Sequence, residues 1–311
     1  MASLDFRTEM TFAYGEPREL APGVVRLVAN NPGPYTFKGT NTYVIGTETL
    51  AVIDPGPDDA AHFEALMKTI AGRTVSHVFI THTHRDHVDL LPRFIDATAA
   101  KTCGFGRVQI ERPGILAGPI GDDLIDFGFD PDITLATSEA AVAGDGWTLS
   151  AVPTPGHAPD HLCFELAGTG ILFSGDHVMA WNTSVVAPPE GHMGDYFRSL
   201  EVLVPRTDTV FFPGHGGRLE NPQRMVRAYL VHRRWREQAI LDAIRNGTAT
   251  ISAIVDLVYR GLDPRLVRAA GLSVQAHVEH LISQGLVETD GPVTLDRRLV
   301  AVAAAPPARD A

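Results

Sequence analysis

The sequence predicts an α/β body over residues 1–220, a small winged-helix-like domain over 221–300 and a disordered tail over 301–311. Three observations predict it. β-Branched runs closed by Gly, Asn or Pro alternate with helical patterns through the first 220 residues, the grammar of a layered sheet-and-helix domain. From Asn221 the pattern turns helical and ends on an Asp-Gly hairpin signal. Four distant fragments, "VFITHTHRDH", "LSAVPTPGH", "GILFSGD" and "TVFFPGH", each run from an apolar strand through a tight turn to a metal-ligand side chain.

Taken in order, "GVVRLVAN", "NTYVIGT" and "LAVIDPG" read as successive strands. "DAAHFEALMKTIAG" follows as a helix with Asp58 or Asp59 near its start and Gly72 at its end. "VSHVFIT" is a strand, and "DHVDLLPRFIDATAA" a helix with Pro92 in its first turns. Residues 107–146, rich in Gly, Pro and Asp (Asp122, Asp123, Asp126, Asp130, Asp132), read as a long insertion or lid. Strands resume at "WTLSAVPTP", "HLCFELAG", "GILFSGD" and "TVFFPGH". Beyond Asn221, "PQRMVRAYLVHRRWREQAILDAIRNG", "TISAIVDLVYRGL" and "SVQAHVEHLISQG" read as three helices, and "LVETDGPVTL" as a hairpin around Asp290 and Gly291.

Composition narrows the class. Two cysteines, Cys103 and Cys163, imply no disulfide framework and a reducing compartment. "MASLDFRTEM" carries Asp5 and Glu9 and lacks the apolar core of a signal peptide. No run approaches 18 apolar residues, so the expectation is a cytoplasmic protein without a membrane span. The net charge of −11 is uneven: residues 1–220 hold 14 Lys+Arg against 28 Asp+Glu, and residues 221–311 hold 12 against 9. The acidic body repels nucleic acid, while the mildly basic end leaves that partner open.

The first fragment supplies His82, His84, Asp86 and His87, and the others supply His157, Asp176 and His215. In a layered fold, strand ends converge at one edge of the sheet. Histidines at i and i+2 of an extended segment point to the same side, so His82 and His84 can grip one ion. Asp86 and His87, past the bend, can face a neighbouring ion. Imidazole and carboxylate suit zinc first, then iron or manganese. His62, His77, His177 and His192 read as ordinary core or surface residues, although His177 is also a candidate to protonate a leaving group. His161 and Asp160 read as supports or strand residues, and Cys163 as a buried strand residue. Asp54 in "VIDPGP" reads as a turn residue or as a carboxylate that orients a ligand histidine.

"THTHRDH" fits the His-x-His-x-Asp-His signature, and with His157, Asp176 and His215 following in order the chain resembles the metallo-β-lactamase superfamily over roughly residues 20–220. The resemblance implies an αββα sandwich with His82, His84 and His157 on one metal, Asp86, His87 and His215 on the other, and Asp176 bridging. "GTNTYVIG" before "VIDPG", with the winged helix, resembles the branch of the beta-lactamase-like ribonucleases of mitochondria. "VDLLP" after the motif departs from the small residues common there, and Glu replaces the equivalent of His84 in flavodiiron relatives.

The expectation is therefore a hydrolase in which two divalent metals about 3.5–4 Å apart supply a hydroxide at neutral pH, with Asp86 and Asp176 holding the ions and orienting that nucleophile. An ester, thioester, lactone or amide substrate comes first. Single-stranded RNA, a mononuclear-iron persulfide dioxygenase and a non-enzymatic regulator are the alternatives. Arg224, Arg227, Arg233, Arg234, Arg236 and Arg245 are read as a solvated helix face, with an RNA-facing stripe second. The C-terminal domain is expected to be a structural or dimerising lid.

Overall fold

The computed structural model describes residues 4–108, 125–126, 128–261 and 266–302. Asp122, Asp123 and the tail from residue 303 lie outside the described residues.

Two sheets face each other. The first holds β1 (Arg18–Ala21), β2 (Val24–Val28), β3 (Asn41–Ile45), β4 (Thr49–Ile53), β5 (Thr74–Phe79), β6 (Lys101–Gly104) and β7 (Ile133–Thr134) in sequential order. The second holds β8 (Ala141–Gly144), β9 (Trp147–Pro153), β10 (Leu162–Leu166), β11 (Ile171–Gly175), β12 (Val210–Pro213) and β13 (Leu219–Glu220), again in sequence. Strands pair antiparallel except β4 through β7 and β11 with β12. The helices are α1 (Ala60–Ile70), α2 (Arg85–Val88), α3 (Leu91–Thr98), α4 (Met193–Leu203), α5 (Pro222–Arg245), α6 (Ile251–Val258) and α7 (Val267–Ser283).

Strand alternation sorts the core into layers. Ile53, Phe79 and Cys103 of the first sheet meet Phe164, Phe173 and Phe212 of the second. Leu50, Val52 and Val78 turn outward onto Leu66 of α1 and Phe94 of α3. Cys163, Leu172 and Phe211 turn outward onto Tyr196 and Leu200 of α4 and Tyr229 of α5. Because both faces of each sheet are covered, the strands read as nearly continuous apolar runs. This is the αββα sandwich.

The structure refines four expectations. "DHVDLLPRFIDATAA" forms two helices, α2 and α3, because Pro92 has no N–H to continue the ladder and the Leu90 N–H donates instead to the Gly56 carbonyl at 3.0 Å. The expected lid at 107–146 instead contributes the edge strands β7 and β8, with Leu135 and Val142 buried between the sheets; residues 109–124 and 127 lie outside the described residues. α4 went unread, although Met193, Tyr196, Phe197, Leu200 and Leu203 keep helical spacing and His192 caps the helix by accepting the Asp195 N–H. The C-terminal hairpin pairs β14 (Val287–Glu288) with β15 (Val300–Ala301). The ladder skips "VTL" because Val293 and Leu295 pack on the C-terminal core.

α5 serves two cores. Met225, Val226 and Tyr229 pack on the body, while Ile240, Leu241 and Ile244 pack with α6, α7 and the hairpin. Among the described residues no helix is long and apolar enough to cross a membrane.

Candidate metal centre

Four loops converge at one edge of the sandwich. The Leu162 N–H donates to the Thr81 carbonyl at 2.7 Å and the Asn41 N–H to the Gly214 carbonyl at 2.7 Å, so the two sheets are stitched there. β5 runs out into His82 and His84, and the α2 turn presents Asp86 and His87. His157 follows β9, Asp176 follows β11 and His215 follows β12. All seven predicted ligand residues lie in one bowl. Gly214 permits the approach, since a Cβ there would sit 2.5 Å from Asp176 Oδ1 and 2.7 Å from His87 Cε1.

Hydrogen bonds fix the tautomers. A carbonyl or carboxylate oxygen only accepts, so His157 Nδ1 donates to the Val185 carbonyl at 2.5 Å, His215 Nδ1 to the Gly39 carbonyl at 3.3 Å and His87 Nδ1 to Asp54 Oδ2 at 2.8 Å. Thr81 Oγ1 donates to Asp54 Oδ2 at 2.7 Å and can therefore accept His82 Nδ1–H at 3.0 Å. These four rings present a bare Nε2. His84 is reversed: its Nε2 donates to Glu190 Oε2 at 3.0 Å and its Nδ1 is bare.

The bare nitrogens face one another. His84 Nδ1 lies 2.8 Å from His82 Nε2 and 3.1 Å from His157 Nε2, and His87 Nε2 lies 3.3 Å from His215 Nε2. Asp86 Oδ2 is 3.4 Å from His87 Nε2 and 3.3 Å from His215 Nε2. Asp176 stands between the two clusters, with Oδ2 3.2 Å from His215 Nε2 and 3.8 Å from His157 Nε2, and Oδ1 3.7 Å from His87 Nε2. Its Oδ1 is buried without a hydrogen bond. Converging lone pairs repel unless a cation sits among them, so this donor set fits metal ions. Within it, His82, His84 and His157, then His82, His87 and Asp176, then Asp86, His87 and His215 form groups tight enough to hold one.

The bowl's electrostatics favour positive charge, and at His84 and His87 a proton and a metal ion compete for the same inward nitrogen. Burial opposes protonation of His84, but the Glu190 carboxylate outweighs it and raises the imidazole to about 9. Burial likewise opposes protonation of His87, and Asp86 and Asp54 raise it to about 10. Asp176 resists the upward push of burial and is held far below the usual carboxylate range by His215 and His87. His82 is driven well down by burial and then by its histidine neighbours. The bowl carries carboxylate charge that calls for cations.

Several supports were legible and others were not. Asp54 orients His87, the second of the two roles its sequence context allowed. Asp160 Oδ2 accepts the Thr83 N–H at 2.9 Å, and burial raises its carboxyl to about 6. His161 Nε2 accepts the Asp176 N–H at 3.0 Å. Cys163 lies in the outer core with its thiol pushed up to about 12 by burial, 3.3 Å from Thr154 Oγ1. His177 cannot serve as the leaving-group acid: it is fully buried on Tyr196, its ring nitrogens have no partner, and burial lowers it to about 3. Glu190 was missed because a lone Glu in "APPEGHMGD" carries no spacing signal. Thr40, whose hydroxyl donates to Asp86 Oδ2 at 2.8 Å, was missed for the same reason.

The bowl opens into a cavity of about 370 Å³ lined on the metal side by His84, Asp86, His157, Asp176 and His215. Much of the remaining wall is apolar: Pro57, Met179, Val185 and Ala187, with Ala269 and Leu272 from α7.

Fold and site together define a metal-dependent hydrolase of the metallo-β-lactamase class. The chain matches the metallo-beta-lactamase superfamily over residues 35–215 and the beta-lactamase associated winged helix domain over residues 250–293, and it belongs to that superfamily. It is 30% identical over 285 residues to the Beta-lactamase-like protein 2 homolog of Caenorhabditis elegans, covering 89% of this chain and 90% of the relative. It is 31% identical over 252 residues to the atrochrysone carboxyl ACP thioesterase AgnL7 of Paecilomyces divaricatus, covering 78% and 73%. The fold superposes on a beta-lactamase domain protein from Burkholderia ambifaria with a TM-score of 0.78 at 22% identity, covering 96% of this chain and 97% of that one. Membership implies divalent metal binding, and the His/Asp groups stand where it would occur.

Proposed function

We propose that the chain hydrolyses a small carbonyl substrate, an ester, thioester, lactone or amide, at a two-metal centre. His82, His84 and His157 would hold one divalent ion, Asp86, His87 and His215 the other, and Asp176 would bridge them. Zinc suits this set of imidazoles and carboxylates best. Such ions supply Lewis acidity and an activated water at neutral pH. The chain's own residues orient that centre: Thr40 fixes Asp86, Asp54 fixes His87 and Glu190 fixes His84.

The apolar cavity is the observation that carries the choice of substrate. Among the described residues that line it, the one lysine or arginine is Arg85, which is paired with Asp89 at 3.2 Å, a poor greeting for a polyanion. The arginines of α5 favour the same reading. Arg233 is buried and donates to the Ser184 carbonyl, and Arg234 pairs with Glu201 at 2.6 Å. A relative named a thioesterase adds support.

The test is metal analysis with a turnover screen over thioesters, esters, lactones, bis(p-nitrophenyl) phosphate and single-stranded RNA. Zinc approaching two per chain, with carbonyl turnover lost on chelation and restored by zinc, is expected. RNA cleavage with a steep salt dependence and no carbonyl turnover would overturn the substrate assignment. One iron per chain would overturn the dinuclear centre.

A further inference from the structure

We propose that α7 of the winged-helix domain is the wall that measures the substrate, and that the measured part is an apolar acyl group. This rests on the carbonyl-hydrolase reading above. Ala269 and Leu272, one helical turn apart, line the same cavity as Met179, Val185 and Ala187 and as the ligand side chains.

α7 distributes its faces among three environments. Ala270, Val274, Val278 and Leu281 enter the C-terminal core. Ala276 enters the outer core of the body beside Val186, Met193 and Tyr196. Ala269 and Leu272 are left to the cavity, and Leu272 is only 4% exposed, too enclosed for an ordinary surface residue.

The wall is also held in place. The Arg233 guanidinium donates to the Ser184 carbonyl and lies 3.5 Å from Ser273 Oγ. Ser184 precedes Val185, and Ser273 follows Leu272. One buried arginine thus ties both sides of the cavity, and the Val185 carbonyl in turn fixes the His157 ring. On α4, Gly194 leaves room for α7, since a Cβ there would sit 3.0 Å from His280 Cδ2. A wall so anchored can discriminate by size, because closely packed surroundings do not yield freely to an added methylene.

The experiment uses the zinc-loaded full chain and two readouts. Calorimetry follows binding of straight-chain carboxylates from acetate to dodecanoate, and kinetics follow kcat/KM for the matching acyl thioesters. Both should climb by up to about fourfold per methylene and level off when the cavity is full. Ala269→Phe should move the levelling point to shorter chains and Leu272→Ala to longer ones, with zinc content unchanged. Ala269→Val, a smaller change, serves if Phe prevents folding and should shift the point in the same direction. Folded variants that keep the wild-type length profile would overturn the proposal while leaving the hydrolase reading intact. Length-dependent carboxylate binding without thioester turnover would support the wall and overturn the hydrolase reading instead.

Discussion

At the sheet edge five imidazoles turn a bare nitrogen toward a common centre, whereas between α5 and α7 two imidazoles turn their N–H groups onto one carboxylate. His277 Nδ1 and His280 Nδ1 lie 3.1 and 2.8 Å from Glu237 Oε2. In the first cluster the ring protons are held outward by Asp54, Glu190, Gly39, Thr81 and Val185, and the lone pairs point inward. In the second, both Nδ1 donors end on one acceptor. Among the described residues only the first contains groups that could hold a metal. Histidine count therefore says little. What distinguishes a ligand is which nitrogen its neighbours occupy.

The largest expected effect comes from the carboxylate that stands between the two groups. Asp176→Ala should lower occupancy of both ions and reduce turnover at least about a hundredfold, since even a residue that only supports a ligand costs ten- to a hundredfold. His277→Ala, in the second cluster, should leave metal content unchanged. Plasma emission analysis on both variants after zinc loading decides. An Asp176→Ala protein that retains two zincs would erase the proposed distinction.

Next comes Glu190. Its hydrogen bond is what turns His84 round, so Glu190→Ala should weaken one ion about ten- to a hundredfold and leave the other nearly unaffected. Glu190→Gln keeps an acceptor for His84 Nε2–H and should fall between. A competition titration with a chromophoric chelator resolves the two sites. Equal weakening of both ions would place Glu190 outside the role given to it.

The same comparison explains what could be read from the chain alone. The convergence of the seven candidate ligand residues was legible because each follows an apolar strand and a tight turn, a local signal repeated four times. The two sheets were legible for the same reason, as runs of β-branched and aromatic residues. Glu190, Thr40 and Arg233 were not, because their partners stand 106, 46 and 49 residues away in sequence. α4 was overlooked despite its spacing, since "GHMGDYF" opens it with glycines that read as loop. The arginines of α5 carry a further lesson. Side chains of one type on one helix split between a buried tie and surface pairs, and only packing separates them.

That split gives the third expectation. Arg233→Ala should cost about 1.5–3 kcal/mol, the range for a hydrogen bond to a charged group lost in a buried setting. Arg234→Ala should cost under about 1 kcal/mol, because its pair with Glu201 is solvent-exposed and screened. Urea unfolding of the two variants measures both. Equal costs would return the arginines to a single solvated face.

The smallest effect probes the second cluster through pH. Burial lowers the His277 imidazole to about 4 despite the upward pull of Glu237, with Arg233 and Arg236 adding to the lowering. An unfolded chain protonates the same ring near 6.5. Between those values the unfolded state therefore binds a proton that the folded state lacks, and stability falls as pH drops. The contribution is complete above about 6.5 and is lost progressively toward 4, on the order of 1–2 kcal/mol between pH 7 and 5. His232, also lowered to about 4, first by burial, acts in the same direction. His277→Gln keeps a donor for Glu237 and removes the titration, so its unfolding free energy should change less with pH than that of the wild type. Both proteins keep the same candidate ligand residues, so any acid release of metal contributes equally and cancels in the difference. Parallel pH curves for the two would mean that His277 binds protons equally in the folded and unfolded states, and a wild type that gains stability over the variant as pH falls would make the clasp between α5 and α7 an ion pair.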